Sequence, residues 1–147
     1  MTISAPHEAL AGPLTGIRVV DLTQFVLGPF CTQTLGDLGA DVIKVEDAGG
    51  DRQRRGTGKT APAPDLSGPF VQLNRNKRSV VLDLNEPEAK EALKALIATA
   101  DVFIHNMRPD SIAKHGLGMR RWRRSGPISS MSSPWGSAPT GPMPGVL

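Results

Sequence analysis

The order of apolar and polar positions predicts a strand, a helix and a second strand in the first part of the chain. Residues 17–22 form a β-branched run after Gly16, which is typical of a strand buried on both faces. Pro29 suits a helix start because it has no N–H that needs a partner, and apolar residues then recur at helical spacing. Gly39 suits a left-handed C-terminal cap, and residues 41–46 resume a strand pattern. These segments predict a βαβ unit with parallel strands.

The pattern after residue 46 predicts a long loop and then another strand, helix and strand. Residues 47–68 are rich in Gly, Pro, Arg and Asp without an apolar period, so we expect an irregular loop. Residues 79–84 are typical of a strand, and Asn85 with Glu88 is expected to cap the next helix. Residues 101–104 predict a fourth strand. The helix before it has an apolar stripe of Ala89, Ala92, Leu93, Leu96 and Ile97.

Strands that alternate with helices imply an α/β fold, which we expect to be a Rossmann-like partial parallel sheet with flanking helices. Ligands of such sheets bind beyond the carboxyl ends of the strands. Residues 13–118 form the predicted domain, and residues 1–12 are expected to be a flexible N-terminus. Residues 119–147 are rich in Ser, Pro, Gly and Arg without a period, which predicts a disordered C-terminal tail.

Composition narrows the classes of protein. The 147 residues leave room for one domain. The net charge of +3 arises in the tail, which holds four arginines and no acid, so it does not indicate a nucleic-acid partner. Cys31 is the only cysteine, so no internal disulfide can form and a cytoplasmic location is expected. No segment resembles a leader or approaches the roughly 20 apolar residues of a membrane span, so no membrane partner is expected.

Three segments carry side chains suited to an anionic ligand. Residues 74–79 (NRNKRS) hold Arg75, Lys77 and Arg78, a composition that suits phosphate oxygens and is also typical of an exposed turn. The arginines of the long loop have the same two interpretations. The third segment follows the fourth strand, where an α/β sheet exposes ligand-facing groups, although a histidine there is more often simply solvated. The arginines of the loop are Arg52, Arg54 and Arg55. The residues at the end of the fourth strand are His105, Asn106 and Arg108.

Other site classes find little support. The loop at residues 23–29 contains one glycine of the dinucleotide-binding fingerprint, so Glu46 is interpreted as a solvated strand end rather than a ribose-binding acid of an NAD or FAD site. The sequence has no metal-ligand spacing, nucleophile elbow or phosphate-binding P-loop. We expect no metal and no permanently bound cofactor.

Taken in order, these blocks resemble the start of a family III CoA-transferase, the group that contains formyl-CoA transferase, carnitine CoA-transferase and α-methylacyl-CoA racemase. The resemblance covers about residues 13–118. It depends on residues 13–19 (PLTGIRV) with Asp21-Leu22, on Gly28-Pro29 with Gln33, on 38–46 (LGADVIKVE), on 74–79 with Leu82-Asp83-Leu84, on Ala100-Asp101-Val102, on Asn106 with Arg108-Pro109, and on Gly116-Leu117-Gly118.

In that family CoA lies across the Rossmann-like domain. The resemblance therefore implies CoA contacts, with Lys114 as the expected phosphate partner. Relatives often have Arg directly after the second strand, where this chain has Asp47, so the resemblance does not extend to that contact and Arg52 is the candidate substitute. The expected CoA-binding residues are Val26, Leu27, Arg75, Lys77, Arg78, Leu82, Asp83, Leu84, Asn85, Asn106, Met107, Arg108 and Lys114.

The resemblance also implies the chemistry. In the transferases an aspartate attacks the acyl-CoA thioester, forms a mixed anhydride and passes CoA to an acceptor carboxylic acid. Racemase relatives exchange an α-proton through an acid and base pair instead. Relatives form interlocked homodimers, and their catalytic residues lie downstream of Leu147. We therefore expect no catalytic residue in this chain, no activity of the chain alone, and no assembly of the dimer.

The tail supports a further hypothesis, a shifted reading frame at about Gly118. Relatives continue with a glycine-rich loop containing Gly-Phe-Gly and Asp-Gly-Pro-Tyr. Joining the third base of each codon to the first two of the next allows the order Gly-Phe-Gly-x-Asp-Gly-Pro-Tyr-Ala across residues 135–144. Two alternatives to a truncated acyl-CoA enzyme stay open: a non-catalytic Rossmann-like nucleotide-binding module, and an inert fragment with a cationic tail.

Overall fold

The computed structural model describes residues 11–56, 58–60 and 63–117. The predicted tail at 119–147 lies outside the described residues, as do Gly118 and most of the predicted N-terminal segment. The elements in chain order are β1 Arg18–Leu22, α1 Leu27–Asp37, β2 Asp41–Glu46, a 3-10 turn Arg52–Arg55, β3 Lys59–Thr60, β4 Ala63–Ser67, α2 Gly68–Asn74, β5 Lys77–Val81, α3 Pro87–Ala98, β6 Val102–His105 and α4 Pro109–Lys114.

The α/β prediction is confirmed by a four-stranded parallel sheet with the order β5-β2-β1-β6. The carboxyl ends of all four strands therefore meet at one edge. α1 packs on one face of this sheet through Cys31 and Leu35, beside Val19 and Val42. On the other face, α3 and α4 pack through Leu93, Ile97 and Ile112. Helices flank both faces, as parallel sheets require.

The predicted βαβ unit is present, with a different helix start. β2 has the predicted bounds, whereas α1 begins two residues before Pro29. Pro29 is tolerated in this first turn because the first N–H groups of a helix have no partner within the helix. Gly39 adopts the expected left-handed conformation, with a φ of 97°, and the chain turns there into β2.

The prediction of an irregular loop over residues 47–68 is wrong. This segment contains the 3-10 turn and an antiparallel pair of strands, β3 and β4, and α2 begins at Gly68. The two strands pair with each other rather than with the main sheet, and β3 has only two residues. Such short strands leave no apolar period in the sequence. The Ser67 hydroxyl accepts a hydrogen bond from the Phe70 N–H and caps α2, which the sequence analysis did not identify.

The third strand of the main sheet is shifted from its predicted position. β5 spans Lys77–Val81 rather than residues 79–84, so Leu82 and Leu84 follow the strand instead of belonging to it. The predicted cap of the next helix is also wrong: Glu86 occupies the N-cap position without a side-chain hydrogen bond. Asn85 instead donates from its backbone N–H and side-chain amide to Asp83 Oδ1, both at 2.9 Å. Pro87 at the first helical position defines the start without a polar cap.

The apolar stripe of α3 is confirmed in its central residues. Leu93 and Ile97 are fully buried against Val20 and Phe103, whereas Ala92 is exposed. No helix in the described part of the chain is long and apolar enough to cross a bilayer.

Candidate functional site

An open groove of about 560 Å³ lies at the carboxyl edge of the sheet. Its walls come from the β1–α1 loop, the segment after β2, the segment after β5 and the β6–α4 connection. Parallel sheets position ligands at this edge because the strand ends and the loops after them converge there. The predicted contact residues that line the groove are Leu82, Asp83, Leu84, Asn85, Asn106, Met107 and Arg108.

Val26, Leu27 and Lys114 lie near the groove without lining it. Val26 and Leu27 are exposed residues that directly follow Phe25, which does line the groove. Lys114 is exposed at the end of α4, and the groove-lining residues of that segment are Ser111 and His115. The sequence analysis did not identify Ser111, His115, Gln24 or Phe25, because their contribution depends on how the loops fold back over the strand ends.

The expectation that Arg75 and Arg78 face the ligand groove needs correction. Both lie at the amino edge of the sheet, where each pairs with an acid. Arg75 contacts Asp37 at 2.6 Å, and Arg78 contacts Asp41 at 2.7 Å. The pKa of Asp37 is lowered from its usual value, and the hydrogen bond from Arg75 is the largest cause. Burial has the opposite, smaller effect. These two arginines therefore hold the start of β5 to α1 and β2.

Lys77 is also outside the groove, and its ammonium is buried. Its Nζ lies 3.0 Å from Asp21 Oδ2, 3.0 Å from the Pro29 carbonyl oxygen and 2.9 Å from Asn74 Oδ1. Three acceptors satisfy the three donors of the ammonium. Burial lowers the pKa of Lys77, and the charge of Asp21 opposes this effect. Lys77 therefore joins β5, β1 and α1 and is not available to a phosphate.

Asn106 lines the groove but its carboxamide is already engaged. Its Oδ1 accepts a hydrogen bond from the Gln24 N–H at 3.0 Å, and its Nδ2 donates to the Gln24 carbonyl at 2.7 Å. This pair of bonds fixes the β1–α1 loop to the end of β6. The role of Asn106 is therefore to shape the groove wall, with any ligand contact through its remaining surface.

Glu46 was interpreted as a solvated strand end, and this interpretation is wrong. Its side chain is buried and bonds to Arg54 through both oxygens, at 2.6 and 2.7 Å. It also accepts from the Ser79 hydroxyl and the Asp51 N–H. Burial raises the pKa of Glu46, but the bonds from Arg54, Ser79 and Asp51 together lower it to about 2. Both carboxylate oxygens are engaged, so Glu46 does not resemble a free ribose-binding acid.

The low pKa of Glu46 predicts an acid-sensitive fold. Its ordinary pKa is 4.5, so the ionised group stabilises the folded state above pH 4.5 and this contribution is lost as the pH falls towards 2. We expect Glu46→Gln to lower the free energy of unfolding at pH 7 by about 2 to 3 kcal/mol and to flatten its dependence on pH over that window. Chemical denaturation at a series of pH values measures both effects. Glu88→Gln, at an exposed position of α3, is the control, and an equal slope for wild type and Glu46→Gln would contradict the assignment.

His105 is not the ligand-facing side chain that its position suggested. It is buried beside Phe103, with ring centroids 5.6 Å apart. Desolvation lowers the pKa of His105, against a hydrogen bond with the Met107 backbone, so the ring is neutral at pH 7. The next three residues, Asn106, Met107 and Arg108, line the groove instead.

The charged groups of the groove are two arginines and three acids, and one of these acids, Glu46, is paired with Arg54. Arg52 and Arg108 are exposed and have no acid partner among the described residues. Asp47 accepts from the Gly49 N–H at 2.8 Å, and Asp83 accepts from Asn85. Leu82, Leu84 and Met107 add apolar surface between them. The described residues contain no group of acids, histidines or cysteines that could hold a metal ion. The groove thus suits an elongated ligand with anionic and apolar parts.

The comparison with family models shows which protein family the chain belongs to. The family model described as CoA-transferase family III matches residues 14–137. The chain therefore belongs to CoA-transferase family III. The match extends past Gly118 to residue 137. The hypothesis of a shifted reading frame at about Gly118 stays a prediction.

Individual relatives agree with the family. The chain is 41% identical over 144 residues to the probable fatty acyl-CoA transferase Rv3272 of Mycobacterium tuberculosis, covering 96% of this chain and 36% of that protein. It is 39% identical over 131 residues to succinyl-CoA:glutarate CoA-transferase of Mus musculus, covering 89% and 30%. The orthorhombic crystal structure of Rv3272 superimposes with a TM-score of 0.77, covering 92% of this chain and 39% of that one. The chain thus spans about a third of the length of the relatives it matches.

Proposed function

We propose that the described residues hold coenzyme A for a transferase that moves CoA between carboxylic acids. The observation that carries this proposal is the convergence of residues 82–85 and 106–108 on one groove. Arg108 and the neighbouring Arg52 have no acid partner within the part of the chain that the structure describes. Guanidinium groups form paired hydrogen bonds with phosphate oxygens. The leucines after β5 and Met107 offer the apolar surface that a pantetheine arm needs. Val26, Leu27 and Lys114 are proposed as further contacts at the rim.

The chemistry proposed for the whole enzyme is transfer through a carboxylate. An enzyme carboxylate attacks the thioester carbonyl, the C–S bond breaks, and CoA leaves as the thiolate while an anhydride forms. The acceptor carboxylate attacks the enzyme's own acyl carbon in this anhydride, and the donor acid leaves as its carboxylate. The thiolate then attacks the acceptor's carbonyl carbon, which forms the new thioester and releases the enzyme carboxylate. In this scheme the groove residues bind and orient CoA, and none of them is assigned a covalent role. The proposed partners are an acyl-CoA and a carboxylic acid acceptor, in a homodimer located in the cytoplasm.

CoA binding to the full 147-residue chain tests the proposal. Calorimetric titration with CoA is expected to show binding that ATP reproduces only weakly, because ATP lacks the pantetheine arm. Arg108→Ala is expected to weaken CoA binding about tenfold, the loss of roughly one charge-assisted hydrogen bond. Arg55→Ala is the matched control, since Arg55 is exposed on the 3-10 turn without lining the groove.

Each alternative function has its own outcome in this titration. Equal affinity for ATP and CoA would favour a nucleotide-binding module. No binding of either ligand, with the chain folded, would favour an inert fragment. A racemase would bind CoA in the same way, and only an α-proton exchange assay of a complete enzyme separates it from a transferase.

The acid at residue 47 is expected to weaken phosphate binding. Asp47 shares the groove with Arg52, so its carboxylate repels an anion bound there. Asp47→Ala should tighten CoA binding about two- to fivefold at low salt, with a smaller gain at high salt because exposed charges are screened. Titrations at two salt concentrations measure this, and Glu88→Ala, at an exposed position of α3 that does not line the groove, is the control. Weaker binding in Asp47→Ala would indicate that the carboxylate accepts a hydrogen bond from the ligand.

A further inference from the structure

Two walls of the groove are attached to one buried ammonium group. Gln24 and Phe25 belong to the first wall, and Asp47 and Arg52 belong to the second. Lys44 lies beneath both, on β2, with 1% of its surface exposed. Its Nζ donates to the Thr23 carbonyl oxygen at 2.8 Å and pairs with Asp51 Oδ2 at 2.9 Å.

Asp51 connects this ammonium to the turn that carries Arg52. Its side chain is fully buried, and Oδ1 accepts a hydrogen bond from the Gln53 N–H at 2.9 Å, which caps the 3-10 turn. Its own N–H donates to Glu46 Oε2 at 2.9 Å. One carboxylate oxygen thus bonds to the turn and the other pairs with the sheet. Arg52 is the next residue along the chain, so its backbone position is set by these contacts.

The energetics of buried charges indicate why this pair matters. A buried ion pair contributes little net stability, because desolvation of both charges offsets their attraction. Its geometry, however, is restricted, since moving either group away would leave the other charge buried without its counter-charge. Neither Lys44 nor Asp51 lines the groove. Their pairing therefore fixes the position of the wall rather than contacting a ligand.

We propose that Asp51, held by Lys44, is a positioning residue that sets Arg52 at the groove for an anionic group of the ligand. The ligand part of this inference rests on the proposed function, whereas the positioning part depends only on the contacts of the chain. The two parts are tested separately.

Limited trypsin digestion of the full chain tests the positioning. In Asp51→Asn, the rate of cleavage after Arg52 and Arg55 is expected to rise on the order of tenfold, because local opening of the turn becomes easier. Cleavage after Lys90 and Lys94, in α3, serves as the internal reference. Asp37→Asn is the matched control, since it loses an ion pair at the opposite edge of the sheet. An unchanged ratio between the two sets of cleavage sites would overturn the positioning role.

A second variant separates positioning from stability. Lys44→Met combined with Asp51→Leu removes both charges, so no unpaired charge stays buried and the fold is expected to be retained. The 3-10 turn nevertheless loses the ion pair that connects it to β2. Faster cleavage after Arg52 in this double variant, at an unchanged melting temperature, supports the proposal. Cleavage after Arg52 at the wild-type rate would overturn the proposal.

A double-mutant cycle with CoA tests the ligand part. Asp51→Asn and Arg52→Ala should each weaken CoA binding, and the effect of Asp51→Asn should disappear in the Arg52→Ala background. Pantetheine, which has no phosphate, should bind equally to all four proteins. Additive losses would show that Asp51 does not act through Arg52. If Arg52→Ala binds CoA normally, the assignment of Arg52 to the ligand fails, and the digestion result still decides the positioning role.

Discussion

Replacing Lys77 with methionine is expected to lower the free energy of unfolding by about 3 to 5 kcal/mol, the cost of leaving a buried charge unpaired. Asp21 is fully buried, and Lys77 is the cation that pairs with it. Thr23 and Thr32 also donate to this carboxylate, but hydroxyl groups do not neutralise its charge. Methionine preserves most of the side-chain volume, so the loss reports the missing ammonium. Urea denaturation of the full chain measures the change.

Arg75→Met is the matched control for Lys77. The side chain of Arg75 is half exposed, and its ion pair with Asp37 is open to solvent. Exposed ion pairs contribute less than about 1 kcal/mol, so only a small change is expected. Equal losses for the two variants would contradict the structural role given to Lys77 and return it to the candidate phosphate ligands.

Phe103→Ala is expected to destabilise the fold by about 3 to 5 kcal/mol, through lost burial and the cavity that remains. Phe103 is 1% exposed in the centre of β6 and packs in the same cluster as Leu93 and Ile97. This cluster attaches α3 to the sheet. The loss should therefore appear in both the helical signal and the overall unfolding midpoint, and circular dichroism during denaturation measures both.

Phe30→Ala removes the same atoms from an exposed site and serves as the control. Phe30 lies on α1 with 56% of its surface exposed, so no cavity forms when it is truncated. The expected change is below about 0.5 kcal/mol. A loss for Phe30→Ala as large as that for Phe103→Ala would show that the apolar surface of α1 is covered in solution.

The strands of the parallel sheet could be predicted because each is a short apolar run. Residues 17–22 and 101–104 were predicted within one residue of β1 and β6 at each end, and β2 was predicted without error. β5 was displaced because its first residues are Lys77 and Arg78, which look like a turn in the sequence. They belong to the strand because acids of neighbouring elements neutralise them, and this depends on contacts between distant residues.

The candidate site was predictable in its location and less so in its members. Residues 106–108 follow a predicted strand of a parallel sheet, so their position at the carboxyl edge follows from the topology. Residues 82–85 were expected at the ligand only from the resemblance to the family, because residues 79–84 were predicted as a strand. The partner of a charged side chain does not follow in this way. Arg75, Lys77 and Arg78 pair with Asp37, Asp21 and Asp41, which lie about 40 to 60 residues away in the sequence. The buried ion pair between Lys44 and Asp51 was likewise not predicted, because Asp51 lies in a segment that was expected to be an irregular loop.

Chemical-shift mapping of the isotopically labelled full chain during titration with CoA tests the central claim most directly. The claim is that the carboxyl edge of the sheet holds CoA. It predicts that the perturbed amides cluster at Leu82, Asn85, Met107 and Arg108, with Arg52 included. A cluster around Arg75 and Arg78, at the amino edge of the sheet, would contradict it.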